Sequence, residues 1–307
     1  MKHYSVMLTE AIEGLNIKDD GIYVDATLGY AGHSKEILKR IKKGQLFAFD
    51  ADRDAINYSH QILSGISSNF KIIHSNFCNL DAKLMEENVD LVDGVLFDLG
   101  LSSPEIDDVE RGFSFMRDAV LDMRMNQEQK LTAATIINEY KEEELLRIFF
   151  LYAEERRSRE IVREIINYRK NKKITRTLEL VEIIKNGVGA NYFYKNHPER
   201  EIFQALRIEV NGELKAIEEA LPVAIKRLKK GGRICVITFH SLEDRIVKQI
   251  FKKYSEVNEM LKGLPDIPEE YKPLIKLINK KPITPSINEL KENSRSKSAK
   301  LRIIERV

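Results

Sequence analysis

The chain has 307 residues, 43% of them hydrophobic, and its 50 Lys and Arg nearly balance 48 Asp and Glu, which leaves a net charge of +2. This length can bury a large core in one domain or two, and the overall charge gives no sign of a nucleic-acid-binding protein. The two cysteines lack metal-ligand spacing, and no secretory leader or membrane-spanning run is visible. We therefore expect a cytoplasmic protein without a metal or a disulfide framework.

The first predicted element is a strand over 21–24, which leads into a loop of small residues, Asp25-Ala-Thr-Leu-Gly-Tyr-Ala-Gly-His-Ser34. A helical pattern follows, and a second buried strand over 46–49 ends in Asp50. Strand, glycine loop, helix, strand and acid together form the first half of a nucleotide-binding α/β unit. An acid at this position can accept both hydroxyls of a ribose, so the sequence predicts a cofactor that contains adenosine.

The loop itself discriminates between two such cofactors. Its glycines, Gly29 and Gly32, do not fit the G-x-G-x-x-G spacing that holds the pyrophosphate of NAD. S-adenosylmethionine (SAM) has no phosphate, and an acid beside the loop, Asp25, suits its positive sulfonium and amino group. The loop favours SAM, while a strand-turn-helix that binds no ligand stays open at this point.

Further along the chain, strands and helices alternate, which predicts a doubly wound, mainly parallel α/β sheet. Helical patterns include 52–63 and 205–229, and an apolar alternation over 301–307 predicts a last strand that returns to the sheet. Before that last strand, the apolar strand-like runs lie at 22–26, 46–50, 71–74, 92–98 and 233–239, and the first two of these are the strands around the glycine loop.

The interval between the fourth and fifth of these strands is far longer than one crossover needs. It holds helix-like material at 131–150, 153–171 and 177–187. We therefore predict an inserted helical domain over 107–200, and a discontinuous α/β domain made of 1–106 and 201–307.

Polar residues follow the fourth and fifth strands, where a sheet of this kind binds its ligands. They form the segments Asp98-Leu-Gly-Leu-Ser-Ser-Pro104 and Phe239-His-Ser-Leu-Glu-Asp-Arg245. Such groups usually line a pocket, because burying them unsatisfied is costly. The alternatives are a helix cap at Ser102 and Ser103, and simple pairing of Asp122 with Arg124. A hydrolase based on His240 and Ser241 is disfavoured because no G-x-S-x-G turn surrounds them.

Positive charge is concentrated in two stretches. Residues 156–176 contain nine Lys and Arg against two Glu, and residues 291–306 contain six against two. Such patches attract phosphate backbones, although a solvated helix face would show the same composition.

Together these motifs resemble the RsmH (MraW) family of bacterial 16S rRNA cytosine-N4 methyltransferases, over nearly the whole chain. Smaller departures from the commoner family pattern occur at Tyr30, Ala153 and Thr238. The remaining motifs that carry the resemblance are His3-Tyr-Ser-Val6, Asp50-Ala-Asp52, Arg111-Gly-Phe-Ser-Phe115, Leu121-Asp-Met-Arg-Met125, Glu154-Glu-Arg156, Phe203-Gln-Ala-Leu-Arg-Ile208 and Ser298-Ala-Lys-Leu-Arg302.

The resemblance implies a Rossmann-like SAM-dependent methyltransferase that modifies N4 of cytosine 1402, in rRNA numbering, in the decoding region of 16S rRNA. It implies no metal, and the 16S rRNA or the small ribosomal subunit as partner; the sequence leaves the oligomeric state open. Glu105 replaces the usual Gln, and an ionised Glu accepts but cannot donate a hydrogen bond. Carried over by position, the cofactor contacts would be Ala31, Gly32, His33, Asp50, Phe77, Asp98 and Glu105.

For catalysis we hypothesise that Asp98, or the carbonyls beside it, accepts from the cytosine amine, with help from Ser102 or Ser103. His240 is a candidate proton acceptor or RNA contact, and Phe113 or Phe115 is a candidate to stack on the unstacked base. The candidate phosphate contacts are Arg156, Arg157, Arg159, Arg163, Arg169, Lys170, Lys172, Lys173 and Arg176.

Two hypotheses from other classes stay open: a nicotinamide-dependent oxidoreductase on the same sheet, and a non-catalytic SAM-binding ribosome-assembly factor. A methyltransferase that acts on another nucleic acid such as DNA is a variant of the rRNA methyltransferase hypothesis.

Overall fold

The computed structural model describes residues 5–101, 107–257 and 268–307. The chain separates into two compact units, Met1–Gly100 with Leu214–Val307, and Leu101–Glu213. None of the helices within the described residues is long and apolar enough to cross a membrane.

The first unit is built on a seven-stranded sheet. The strands are β1 (Ile22–Asp25), β2 (Gln45–Asp50), β3 (Phe70–His74), β4 (Val92–Asp98), β5 (Leu228–Thr238), β6 (Ile275–Leu277) and β7 (Lys300–Arg306). Their order in the sheet is β3-β2-β1-β4-β5-β7-β6. Strands β1 to β5 are parallel, whereas β7 runs antiparallel to both β5 and β6.

Helices cover both faces of this sheet, because successive strand residues alternate between two apolar cores. Phe47 and Phe49 face one core, and Leu46 and Ala48 face the other. The helices of this unit are α1 (Leu8–Leu15), α2 (Gly32–Arg40), α3 (Arg53–Ser64), α4 (Leu80–Glu86), α11 (Glu213–Arg227, whose first residue is counted with the second unit), α12 (Ser241–Ser255) and α13 (Ile287–Glu292).

The second unit is helical and has an apolar core of its own, which contains Phe149, Ile161 and Leu206. Its helices are α5 (Ala133–Glu139), α6 (Glu142–Leu151), α7 (Ser158–Arg169), α8 (Thr177–Val188), α9 (Ala190–Asn196) and α10 (Pro198–Asn211).

The predicted doubly wound sheet and the helical insertion are confirmed, as is the last strand of the chain. The predicted insertion limits, 107 and 200, differ from the limits of the second unit, which are 101 and 213. Residue 200 lies inside α10, whose apolar residues Ile202, Phe203 and Leu206 belong to the core of the second unit. The single helix predicted over 205–229 is wrong, because Gly212 has a φ of +61° and ends α10 before α11 begins.

Candidate active site

The loop after β1 is held by the carboxylate of Asp25. This side chain is 1% exposed. Its Oδ2 accepts a hydrogen bond from Ser34 Oγ at 2.7 Å, and its Oδ1 accepts from the Thr27 amide at 3.1 Å. Burial raises the pKa of Asp25 to about 6, because the two hydrogen bonds only partly replace lost water. Asp25 therefore joins the two ends of the loop.

Asp50 ties the same loop to the end of β2. The Gly29 amide donates to Asp50 Oδ2 at 2.7 Å, and the Asp52 amide donates to Oδ1 at 2.8 Å. Gly29 has a φ of +48°, a left-handed conformation that glycine adopts without steric cost. A carboxylate oxygen can accept more than one hydrogen bond, so these two contacts are compatible with the predicted ribose contact of Asp50.

The segment of residues 5–7 lies against this loop. A Cβ added to Gly32 would coincide with Ser5 Oγ, so glycine at this position makes room for Ser5. The carbonyl oxygen of Val6 lies 3.1 Å from His33 Nε2, and the Met7 amide donates to Glu289 Oε1 at 2.8 Å. Sequence analysis gave this segment no role, and its only signal was its place in the His3–Val6 motif.

Asp98, at the carboxyl end of β4, has the most unusual environment of the predicted site residues. Its amide donates to Thr27 Oγ1 at 2.7 Å, and its Oδ2 lies 3.5 Å from His33 Nδ1. Its Oδ1 is buried and has no hydrogen-bond partner among the residues that the structure describes, although 24% of the side chain is exposed. Burial is the main cause that raises the pKa of Asp98 well above its usual range, and nearby carboxylates, Asp25 and Glu243 foremost, add to it.

At the end of β5, His240 acts as a helix cap. Its Nδ1 accepts from the Glu243 amide at 3.5 Å, and its buried Nε2 lies 3.0 Å from Glu243 Oε1 without hydrogen-bond geometry. The buried Glu243 carboxylate in turn accepts from the amides of Phe239 and His240, at 2.7 and 3.2 Å. Both ring nitrogens thus face Glu243, and the role of His240 as a proton acceptor or RNA contact stays a prediction.

The other predicted cofactor and catalytic residues have mixed outcomes. Phe77 follows β3 and packs edge-to-face on Phe97, with ring centroids 5.6 Å apart. Ala31 is fully buried at the start of α2, so its predicted cofactor contact stays a prediction. The remaining three, Ser102, Ser103 and Glu105, lie outside the described residues.

The aromatic residues predicted to stack on a base pack against the core of the second unit. Phe115 meets Phe203 edge-to-face at 5.9 Å, and the Arg111 guanidinium lies 5.9 Å from the Phe113 ring centroid. Both aromatic side chains keep intermediate exposure. Asp122 and Arg124 form a bidentate pair, with hydrogen bonds of 2.8 and 2.7 Å, as the simpler alternative expected.

Several of the predicted basic residues already bind groups within the protein. Arg157 donates to the Val188 carbonyl and stacks over Tyr192 at 4.3 Å. The salt bridges of Lys172 to Glu179 and of Arg176 to Asp118 measure 2.7 and 2.8 Å. Arg169 donates to the carbonyls of Ile137 and Tyr140. The exposed basic residues with none of these contacts are Arg156, Arg159, Arg163, Lys170 and Lys173.

The basic residues near the end of the chain are similarly engaged. Arg302 and Lys300 contact Asp244, at 2.7 and 3.3 Å, and Arg306 donates to the Leu274 carbonyl at 3.0 Å. The composition of 291–306 therefore overstates the positive charge that this stretch offers to a partner.

The model of the MraW methylase family matches residues 1–307. This chain belongs to the MraW methylase family. The match spans the whole chain and confirms the resemblance drawn from the motifs. The expectation of SAM as the methyl donor is confirmed with it.

Solved structures with a similar fold include an rRNA methylase from Streptococcus thermophilus, with 13% identity, a TM-score of 0.46 and coverage of 100% of this chain and 99% of that chain. A candidate methyltransferase from Streptococcus mutans in complex with SAH has 11% identity, a TM-score of 0.45 and 99% coverage of both chains. These similarities are weak, so the assignment rests on the family match alone.

Proposed function

We propose that this MraW-family methylase transfers a methyl group from SAM to N4 of cytosine 1402 in the decoding region of 16S rRNA. The observation that carries the proposal is Asp98, which lies where a sheet of this topology binds its ligands. Its buried Oδ1 is an acceptor with no hydrogen-bond partner among residues 5–101, 107–257 and 268–307.

The residues around the loop fit SAM. Burial is the main cause of the raised pKa of Asp98, but the carboxylates of Asp25, Glu243 and Glu289 add to it, so they make the potential at Asp98 negative. A ligand with a positive sulfonium relieves this repulsion. The carboxylate of Asp50 would accept from the ribose hydroxyls, and the N-terminus of α2 at Gly32 would favour the negative charge on the methionine part of SAM.

On the substrate side, Asp98 can act on the exocyclic amine of cytosine. When bound, SAM supplies an activated methyl group on a positively charged sulfur. Asp98 Oδ1 accepts a hydrogen bond from the amine and so orients the lone pair of the nitrogen. As the new N–C bond forms, the C–S bond breaks and its electron pair goes to sulfur. Asp98 Oδ1 takes the proton that the nitrogen then loses. This role requires the ionised carboxylate.

The second unit supports the proposal through α7. Arg159 and Arg163 are exposed and four residues apart, so they lie on one face of the helix, and the exposed Lys170 follows at its C-terminal cap. Such a row suits the phosphates of an RNA strand, because each contact releases counterions.

The test is methyl transfer to small ribosomal subunits that lack this modification. Labelled SAM is incubated with the protein, the rRNA is digested, and the labelled nucleoside is identified. We expect N4-methylcytidine from the wild type, loss of the label with Asp98→Ala, and retention with Asp90→Ala. The control removes an exposed carboxylate from the chain just before β4, at the other end of the same strand.

Each other outcome contradicts a defined part of the proposal. Label in a different nucleoside would give the enzyme another target. Absence of label, with SAM binding shown by calorimetry and an active control enzyme, would favour a non-catalytic assembly factor. Full activity of a folded Asp98→Ala protein would remove Asp98 from the chemistry.

A further inference from the structure

Helix α12 carries positive charge that sequence analysis did not single out. It begins at Ser241, directly after the end of β5, and so leads away from the edge of the sheet where the candidate site lies. Arg245, Lys248 and Lys252 are exposed. Their spacing of three and four residues places them, with Ser241, on one face of the helix, over about 16 Å of its length.

The acidic residues of α12 do not offset this charge on the outer face. Glu243 is 1% exposed, and its carboxylate accepts a hydrogen bond from the Phe239 amide, which precedes the helix. Asp244 is bound by Arg302 through two hydrogen bonds of 2.7 and 3.1 Å, and by Lys300 at 3.3 Å. Two cations thus surround one carboxylate, and neither acidic side chain of α12 offsets the charges of Lys248 and Lys252 on its outer face.

We propose that the α12 face that carries Lys248 and Lys252 is a second contact for the phosphate backbone of the substrate RNA, on the catalytic unit itself. The inference rests on the proposed function, since it names a surface that the RNA would use beside the site. A strand whose target base enters the site must pass the edge of the sheet from which α12 starts. A row of cations there can hold its phosphates without reading sequence.

The test compares two double charge reversals that change net charge equally. K248E/K252E alters the α12 face. K226E/K230E alters exposed lysines around the start of β5, at the opposite edge of the same sheet. Binding of unmodified 16S rRNA is measured between 0.05 and 1 M salt, with SAM affinity and thermal unfolding as folding controls.

We expect K248E/K252E to reduce the slope of log Kd against log salt by about 1.4, which is roughly a 25-fold weaker affinity at 0.1 M salt that vanishes near 1 M. The control should stay within about threefold of wild type. Equal effects of the two variants would overturn the proposal. A second result would also overturn it: K248E/K252E binds naked rRNA normally but loses activity on assembled subunits. The partner of the α12 face would then be an acidic protein. Because this assay reads binding, its result is independent of whether the methylation proposal holds.

Discussion

Asp98 Oδ2 lies 3.5 Å from His33 Nδ1, while the other nitrogen of the same ring, Nε2, lies 3.1 Å from the Val6 carbonyl oxygen. A carbonyl oxygen can only accept, so Nε2 carries a proton. In a neutral ring, Nδ1 would then direct a lone pair at a carboxylate oxygen. The contact is favourable only if the ring or the carboxyl group carries a further proton. The raised pKa of Asp98 agrees with a proton on its carboxyl group.

This proton makes SAM binding dependent on pH. The raised pKa of Asp98 keeps its carboxyl protonated at pH values where a free Asp is ionised, and a bound sulfonium favours the ionised form. We therefore expect SAM binding to release a proton and to tighten as pH rises. Calorimetry in buffers of different ionisation enthalpy measures the release. It should be smaller for S-adenosylhomocysteine, whose sulfur is neutral, and undiminished release in Asp98→Asn would refute the assignment.

The buried Asp25 should make folding less favourable above acidic pH. Its pKa of about 6 exceeds the value of 3.8 expected when unfolded, so the folded state binds the proton more tightly between these values. The free energy of unfolding then falls as pH rises through this window, by up to about 3 kcal/mol. Asp25→Asn, which cannot ionise, should be more stable than wild type at pH 7.5 and equally stable near pH 4. Urea denaturation across this range checks the prediction, and parallel pH profiles would contradict it.

The contact between Gly32 and Ser5 predicts a rescue by second-site substitution. Gly32→Ala places a methyl group on Ser5 Oγ, which should cost about 1–3 kcal/mol of stability. Ser5→Gly in the same protein should restore most of this loss. Gly29→Ala is the matched control, since its added Cβ meets only the Thr27 carbonyl oxygen at an ordinary contact distance of 4.0 Å and its penalty of ~1 kcal/mol comes from the positive φ. Thermal unfolding of the set tests the coupling, and rescue of both alanine variants by Ser5→Gly would argue against the contact.

The contacts of the basic residues predict which of them bind RNA. Arg159→Ala with Arg163→Ala should lower the salt slope of rRNA binding by about 1.4, because two exposed cations are lost. Lys172→Ala with Arg176→Ala removes the same charge, but these side chains already pair with Glu179 and Asp118, so we expect little change. Filter binding at several salt concentrations distinguishes the pairs. Equal slopes for the two double variants would mean that the α7 face is only solvated.

The sequence predicted the strands and the acids at their ends because the central strands of a parallel sheet are continuous apolar runs. Asp50 and Asp98 stop such runs, and their positions follow directly. The insertion limits were less accurate because α10 keeps its helical period through residue 200. Composition also counted Arg169 and Arg302 as available charge, although their partners lie 32 and 58 residues away and leave no local pattern.

The hydrogen bond between Met7 and Glu289 joins residues 282 positions apart. Glu289 is synthesised 282 residues after Met7, so the segment that contacts His33 through Val6 is secured only once the chain has been made as far as residue 289. Contacts of such separation form slowly, because a long loop must close first. A nascent chain can thus assemble β1 to β4, which carry Asp25, Asp50 and Asp98, before this segment is held in place.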